Sequence, residues 1–120
     1  MADKKVYSIK EGVSVTEEVI GIISGLAATE VKGVSSLAGN LTHDVIPKAG
    51  KNKIAKAVHV ASNDDESINI RLAVNIEYNF VIPEVCKNVQ DKVKTGVENM
   101  TGLDVREVDI HIATVSGTNK

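Results

Sequence analysis

Aromatic residues are almost missing from this chain. Tyr7, Tyr78 and Phe80 are the only three, and there is no tryptophan. Three rings cannot build a stacking platform for several bases or sugars. Neither sign of charge is in surplus: 14 Lys+Arg stand against 16 Asp+Glu, a net charge of -2. A protein that coats nucleic acid needs a cationic excess to neutralise phosphates, so no nucleic-acid partner is expected. A single cysteine, Cys86, excludes an intrachain disulfide and fits a reducing compartment. Two prolines and nine glycines in 120 residues exclude a collagen-like or Pro-rich linker chain. No window reaches the ~18 apolar residues of a membrane span. The first residues, Met1 to Tyr7, hold no apolar run of signal-peptide length. The expected address is cytoplasmic.

What is present is aliphatic. The chain is 42% hydrophobic, and Val, Ile, Leu and Ala must supply the core. At ~25 cal/mol per Å² of buried apolar area, a chain of this length folds without disulfide or metal staples. The expectation is one domain over residues 1–120, with an ordered core at about 6–115 and a tail, 116–120, of disordered composition.

Residues 16–31 are predicted to be a helix. Thr16 suits the N-cap, with Glu17 and Glu18 in the first turn near the positive end of the macrodipole. Val19, Ile22, Ile23, Leu26, Ala27 and Val31 recur at helical spacing, and Gly33 is placed to end the helix. Gly21 and Gly25 weaken the helix and lie on one side of it. They imply close packing against a sheet or second helix; the alternative, a GxxxG pairing surface, belongs to lipid-embedded helices.

Residues 6–13 alternate weakly, as an edge strand does, and residues 34–37 form a short strand. Residues 38–55 read as an irregular loop, because Pro47 and Gly50 interrupt the spacing of Leu41, Val45, Ile46 and Ala49. The clearest strand is 68–78. Ile68, Ile70, Leu72, Val74, Ile76 and Tyr78 point one way; Asn69, Arg71, Ala73, Asn75 and Glu77 point the other. One buried and one wet face imply an antiparallel or mixed sheet. A turn at Asn63–Glu66 pairs this strand with one near 57–62. A second helix begins at Pro83, with Val85, Val89, Val93, Val97 and Met100 as its stripe and Asn99 and Gly102 at its end. The last strand, 103–115, changes parity and needs a one-residue bulge near Arg106–Glu107. The order β-α-β-(loop)-β-β-α-β makes a two-layer α+β sandwich with two helices on one face of a mixed sheet.

No catalytic, metal or cofactor constellation emerges, so no enzyme is expected. His59 and His111 alternate with apolar neighbours and so face solvent; His43 lies in the irregular stretch; no ligand spacing links them. Cys86 sits in a first helical turn, which lowers a thiol pKa, but it also flanks the apolar stripe as a small buried hydrophobe does. Asp64, Asp65 and Glu66 lack EF-hand spacing and read as a solvated hairpin tip. The glycines spell neither a P-loop nor a dinucleotide fingerprint. One charge feature stands out. Lys48, Lys51, Lys53 and Lys56 fall in a stretch with no acid. They read either as a solubilising loop or as a docking patch for an acidic partner or an anionic membrane surface, the latter a weak peripheral contact at ~1 kcal/mol per lysine.

These segments resemble the alkaline shock protein family, the cell-envelope stress response proteins of Gram-positive bacteria. The resemblance runs from Val13 to Val115. It is carried by Thr16-Glu17-Glu18-Val19-Ile20, Ala27-Ala28, Glu30-Val31-Lys32-Gly33-Val34, Ile82-Pro83-Glu84-Val85, Val89-Gln90-Asp91-Lys92-Val93, Asn99-Met100-Thr101-Gly102-Leu103 and Val108-Asp109-Ile110-His111-Ile112. The lysine-containing segment is similar to small stand-alone members, including those encoded near fatty-acid synthesis genes. Two positions depart from the pattern: Asn79 stands at a corner usually held by Gly, and Asp109 replaces a usual Asn. Asn tolerates positive φ, so the corner is expected to survive. The resemblance implies a non-enzymatic role in envelope homeostasis, self-association in some members, and attachment to the membrane face through a separate anchor protein. The alternative reading is a small-molecule-sensing regulator of a fatty-acid synthesis enzyme.

Overall fold

The computed structural model describes residues 6–116. The tail expected to be disordered lies, from residue 117 on, outside the described residues. The predicted α+β sandwich is present. Its elements are β1 (Val6–Lys10), β2 (Val13–Thr16), α1 (Glu17–Thr29), β3 (Val34–Leu37), α2 (Lys51–Ala57), β4 (Val58–Ser62), β5 (Ile68–Glu77), α3 (Ile82–Thr101) and β6 (Val105–Ser116), with a 3-10 turn at Ile46–Lys48.

β5 is the spine of the sheet. β4 and β3 pair with its first and second halves, both antiparallel, and β6 runs parallel along its full length. The sheet is therefore three strands wide, with β4 and β3 end to end on one side and β6 alone on the other. The period-two pattern of β5 becomes a buried row: Ile68, Ile70, Leu72, Val74 and Ile76 are all at most 1% exposed. α1 and α3 cover that row. The α3 stripe of Val85, Val89, Val93 and Val97 is buried as predicted, with Thr101 completing it. Met100 does not belong to the stripe. It is 71% exposed, because the buried positions recur every four residues and Met100 falls one short. Tyr78 likewise leaves the core row: it lies just past the end of β5 and is 60% exposed.

α1 starts where predicted, with Thr16 Oγ1 accepting from the Val19 N–H at 3.2 Å. It ends at Thr29, two residues early, with Glu30 as the C-cap and its N–H on the Ala27 and Ala28 carbonyls. Its most buried side is Ile20, Gly21, Ser24, Gly25 and Ala28, of which only Ile20 is large. A Cβ on Gly21 would stand 2.7 Å from Ile54 Cγ2, and one on Gly25 would stand 2.8 Å from Leu37 Cδ1. The glycines thus let the helix sit down on α2 and β3, as close packing predicts. Ile22, Ile23 and Leu26 are only half-buried, and Val19 is exposed.

Two segments are more ordered than expected. Residues 6–16 form a hairpin rather than one edge strand; Glu11 and Gly12 (φ 81°) turn the chain, and Val6 pairs with Thr16. Residues 38–55, expected to be an irregular loop, fold into the 3-10 turn and most of α2, with Leu41, Ile46 and Ile54 buried. Pro47 and Gly50 do break the spacing. They divide it into two short elements whose apolar residues are held by α1 and β3 rather than by local periodicity.

The bulge predicted near Arg106–Glu107 is present, since Ile68 pairs with Val105 and Asn69 with Glu107. A second shift leaves Ala113 unpaired and sets Thr114 opposite Asn75. Asn79 takes φ 78°, so the corner survives without glycine.

Candidate interaction site

The hydrogen-bond direction along β5 decides which sheet edge is open. Ala73 and Glu77 bond toward β3, so alternate residues bond toward β6, as Ile68 does to the Asp104 carbonyl. On β6 this leaves the N–H and C=O groups of Val105, Val108, Ile110, Ile112 and Val115 directed away from the sheet. The first of these are capped by α3. Glu98 accepts from the Val105 N–H at 2.9 Å, Lys94 donates to the Val105 carbonyl at 2.6 Å, and Gln90 donates to the Val108 carbonyl at 2.9 Å. The Val105 bond and the Lys94 ammonium hold the Glu98 carboxyl below its usual range. On the opposite edge Glu17 caps the Val60 N–H at 3.2 Å. Beyond Val108, the outer edge of β6 has no partner strand or cap among the described residues. Half-buried Ile110 and Ile112 flank it, and Val115, which is exposed, stands near its end opposite Ile76.

The outer face of the sheet carries the polar residues of the strands. His59, Arg71 and Asp109 form one row across β4, β5 and β6, and Ala73 and His111 begin the next. With Lys56 they line a shallow depression of about 460 Å³.

The four candidate lysines lie on two consecutive elements. Lys48 lies on the 3-10 turn, and Lys51, Lys53 and Lys56 lie on α2. All four are exposed. On seven helical residues the last three spread around the sides left free by Ile54 and Ala57, and only Lys56 reaches the depression. Sequence spacing could not show that Lys56 joins His59, Arg71 and His111, because the strand register brings them together.

The remaining candidates resolve simply. His43 pairs with Glu30 at 3.7 Å, and Glu30 also meets Lys92 at 3.4 Å. The acidic tip is a self-bonded turn in which Asp65 accepts from both the hydroxyl and the N–H of Ser67; the hydroxyl bond is the main cause of its lowered pKa. No group of His, Cys, Asp and Glu fit to hold a metal ion occurs among the described residues. Cys86 is half-buried, and burial pushes its thiol up, against the effect of a helix start. The folded protein should therefore react with a disulfide reagent at neutral pH more slowly than the urea-unfolded chain. Equal rates would show that burial does not protect the thiol.

The profile of the alkaline shock protein family, described as having a cell envelope-related function, matches residues 5–117. The chain belongs to this family. Among its relatives, uncharacterized protein YqhY of Bacillus subtilis is 35% identical, over 90% of this chain and 79% of that protein. YloU of the same organism is 32% identical, over 89% and 90%. Spy1535 of Streptococcus pyogenes is 31% identical, over 82% and 74%. Among solved structures, a MamM CTD variant (H264A-E289A-C267S) aligns over 81% of this chain and 93% of its own at 10% identity, with a TM-score of 0.49. No helix of this alkaline shock protein, among the described residues, is long and apolar enough to cross a membrane.

Proposed function

We propose that this alkaline shock protein is a non-enzymatic scaffold module of the cytoplasmic face. In this reading it serves envelope homeostasis by self-association and by docking a protein partner. The observation that carries the reading is the half-open edge of β6. The first outward groups of β6 are tied to α3 side chains, whereas Ile110, Ile112 and Val115 offer backbone donors and acceptors without a partner among the described residues, beside apolar side chains. The edge is also self-complementary. An antiparallel two-fold centred on Ile110 sets Ile110 against its copy and Val108 against Ile112. On the outer face the same register sets Asp109 against His111, an acid against a base. Centring on Asp109 would instead oppose two like carboxylates.

Sedimentation velocity over a concentration series tests this reading. The wild type should pass from monomer to dimer or larger species. Ile110→Lys, which places a charge on the edge in the manner that natural edges resist pairing, should stay monomeric with an unchanged circular dichroism spectrum. A wild type that is monomeric at every concentration would refute the scaffold. Lys48, Lys51 and Lys53 are the docking residues proposed for an acidic partner or membrane-bound anchor protein, with Lys56 shared between that surface and the sheet face.

A further inference from the structure

We propose that the depression on the outer sheet face binds a phosphorylated small molecule, with Arg71, His59 and Lys56 on the phosphoryl group and Asp109 on a neighbouring hydroxyl. Binding there does not require self-association through β6, although Asp109 and His111 border both surfaces.

The argument starts from register. His59 is the cross-strand partner of Arg71, and Arg71 the partner of Asp109. Adjacent strands lie about 4.8 Å apart. Three strands therefore spread these groups over roughly 10 Å, the length of a small phosphate ester. Ala73 makes the hollow. It sits between Arg71 and Asn75 on the same face of β5, and its methyl group leaves open the space that a longer side chain would fill.

Charge names the ligand class. The chain as a whole is anionic at -2, yet the depression is lined by Lys56, Arg71, His59 and His111 against one acid, Asp109. Arg71 and Lys56 have no salt-bridge partner among the described residues, and none forms between Arg71 and Asp109 despite their pairing. A planar guanidinium with free donors matches phosphate in a bidentate manner, and an ammonium adds a point charge. Asp109, an acceptor, disfavours a bare anion and favours an ester that brings a hydroxyl. The volume, about 460 Å³, lies in the usual range of small-ligand sites.

The test is a titration of the full-length chain with glycerol phosphate, followed by amide chemical shifts. Saturable shifts are expected at residues 59, 71–73 and 109–111. Arg71→Gln removes the fork, and Ala73→Leu fills the hollow without changing charge. Each should weaken binding by about tenfold or more. Repeating the titration on Ile112→Lys, which charges the same edge outside the lining of the depression, separates ligand binding from oligomerisation. A phosphoryl group beside a hydroxyl also occurs on lipid headgroups, so a second arm measures co-sedimentation with phosphatidylcholine vesicles carrying phosphatidylglycerol. No vesicle binding is expected. Arg71-dependent binding to vesicles without shifts from glycerol phosphate would overturn the small-molecule assignment. So would shifts that persist in both Arg71→Gln and Ala73→Leu, or no shifts at all.

Discussion

Gly33→Ala is expected to lower folding stability by about 3 kcal/mol. Two costs combine at this residue. Gly33 takes φ 101°, a conformation that an L side chain adopts only with strain of about 1–2 kcal/mol. The space is also occupied. A Cβ would lie 2.9 Å from Val85 Cγ2 and 3.0 Å from Phe80 Cδ1, where α3 and the corner after β5 close over the loop from α1 to β3. Val85 is buried in the α3 stripe and cannot swing aside without disturbing it. The Gly33 carbonyl also accepts the Glu77 N–H at 2.8 Å, so a backbone shift would pull at the end of β5. Gly39→Ala is the matched control. Its φ is 86°, but nothing lies within 4 Å of its Cβ position, so it should lose about 1–2 kcal/mol from strain alone. Urea unfolding of both variants separates the terms. Equal losses would show that the Phe80–Val85 contact contributes nothing.

Asn75→Leu is expected to cost about 2–3 kcal/mol although it adds apolar surface. Asn75 is 7% exposed and ties three strands together. Its Nδ2 donates to Ser36 Oγ at 2.9 Å and to the Leu37 carbonyl at 3.3 Å; its Oδ1 accepts from Thr114 Oγ1 at 2.8 Å. Leucine would leave the buried Ser36 hydroxyl without this bond and weaken the hold on the Leu37 carbonyl, and an unmet polar group in a dry place costs more than the bond itself contributes. A double-mutant cycle with Thr114→Val should return a coupling of about 1 kcal/mol. Additive losses would mean that the two residues do not act together.

Gly33 and Asn75 also mark how far reading the chain could go. Gly33 was legible as a helix end, but its importance lies in Phe80 and Val85, which are distant in sequence. Asn75 read as a wet residue by parity in β5. It is buried because Ser36, Leu37 and Thr114 close around it, and Thr114 reaches it only through the bulge at Ala113. No run of residues announces that bulge. Met100 and Tyr78 fail for simpler reasons: Met100 falls one short of the four-residue spacing, so Thr101 takes the buried place, and Tyr78 extends the alternation one position past the end of β5.

Local patterns settled which segments are helix or strand. The Thr16 cap, the four-residue valine spacing of α3 and the strict alternation of β5 are short-range features, and they make the two-layer sandwich the only economical burial of so much aliphatic surface. The scarcity of aromatics and the balance of charge are equally local facts, and they hold in the folded protein. Tertiary structure alone decided the surfaces. It gathered Lys56, His59, Arg71 and His111 from four elements around Ala73, ordered residues 38–55 by burying Leu41, Ile46 and Ile54, and left the second half of β6 open while α3 capped the first. Exposure, register and hydrogen-bond direction are relations between segments, so they are fixed only when the segments meet.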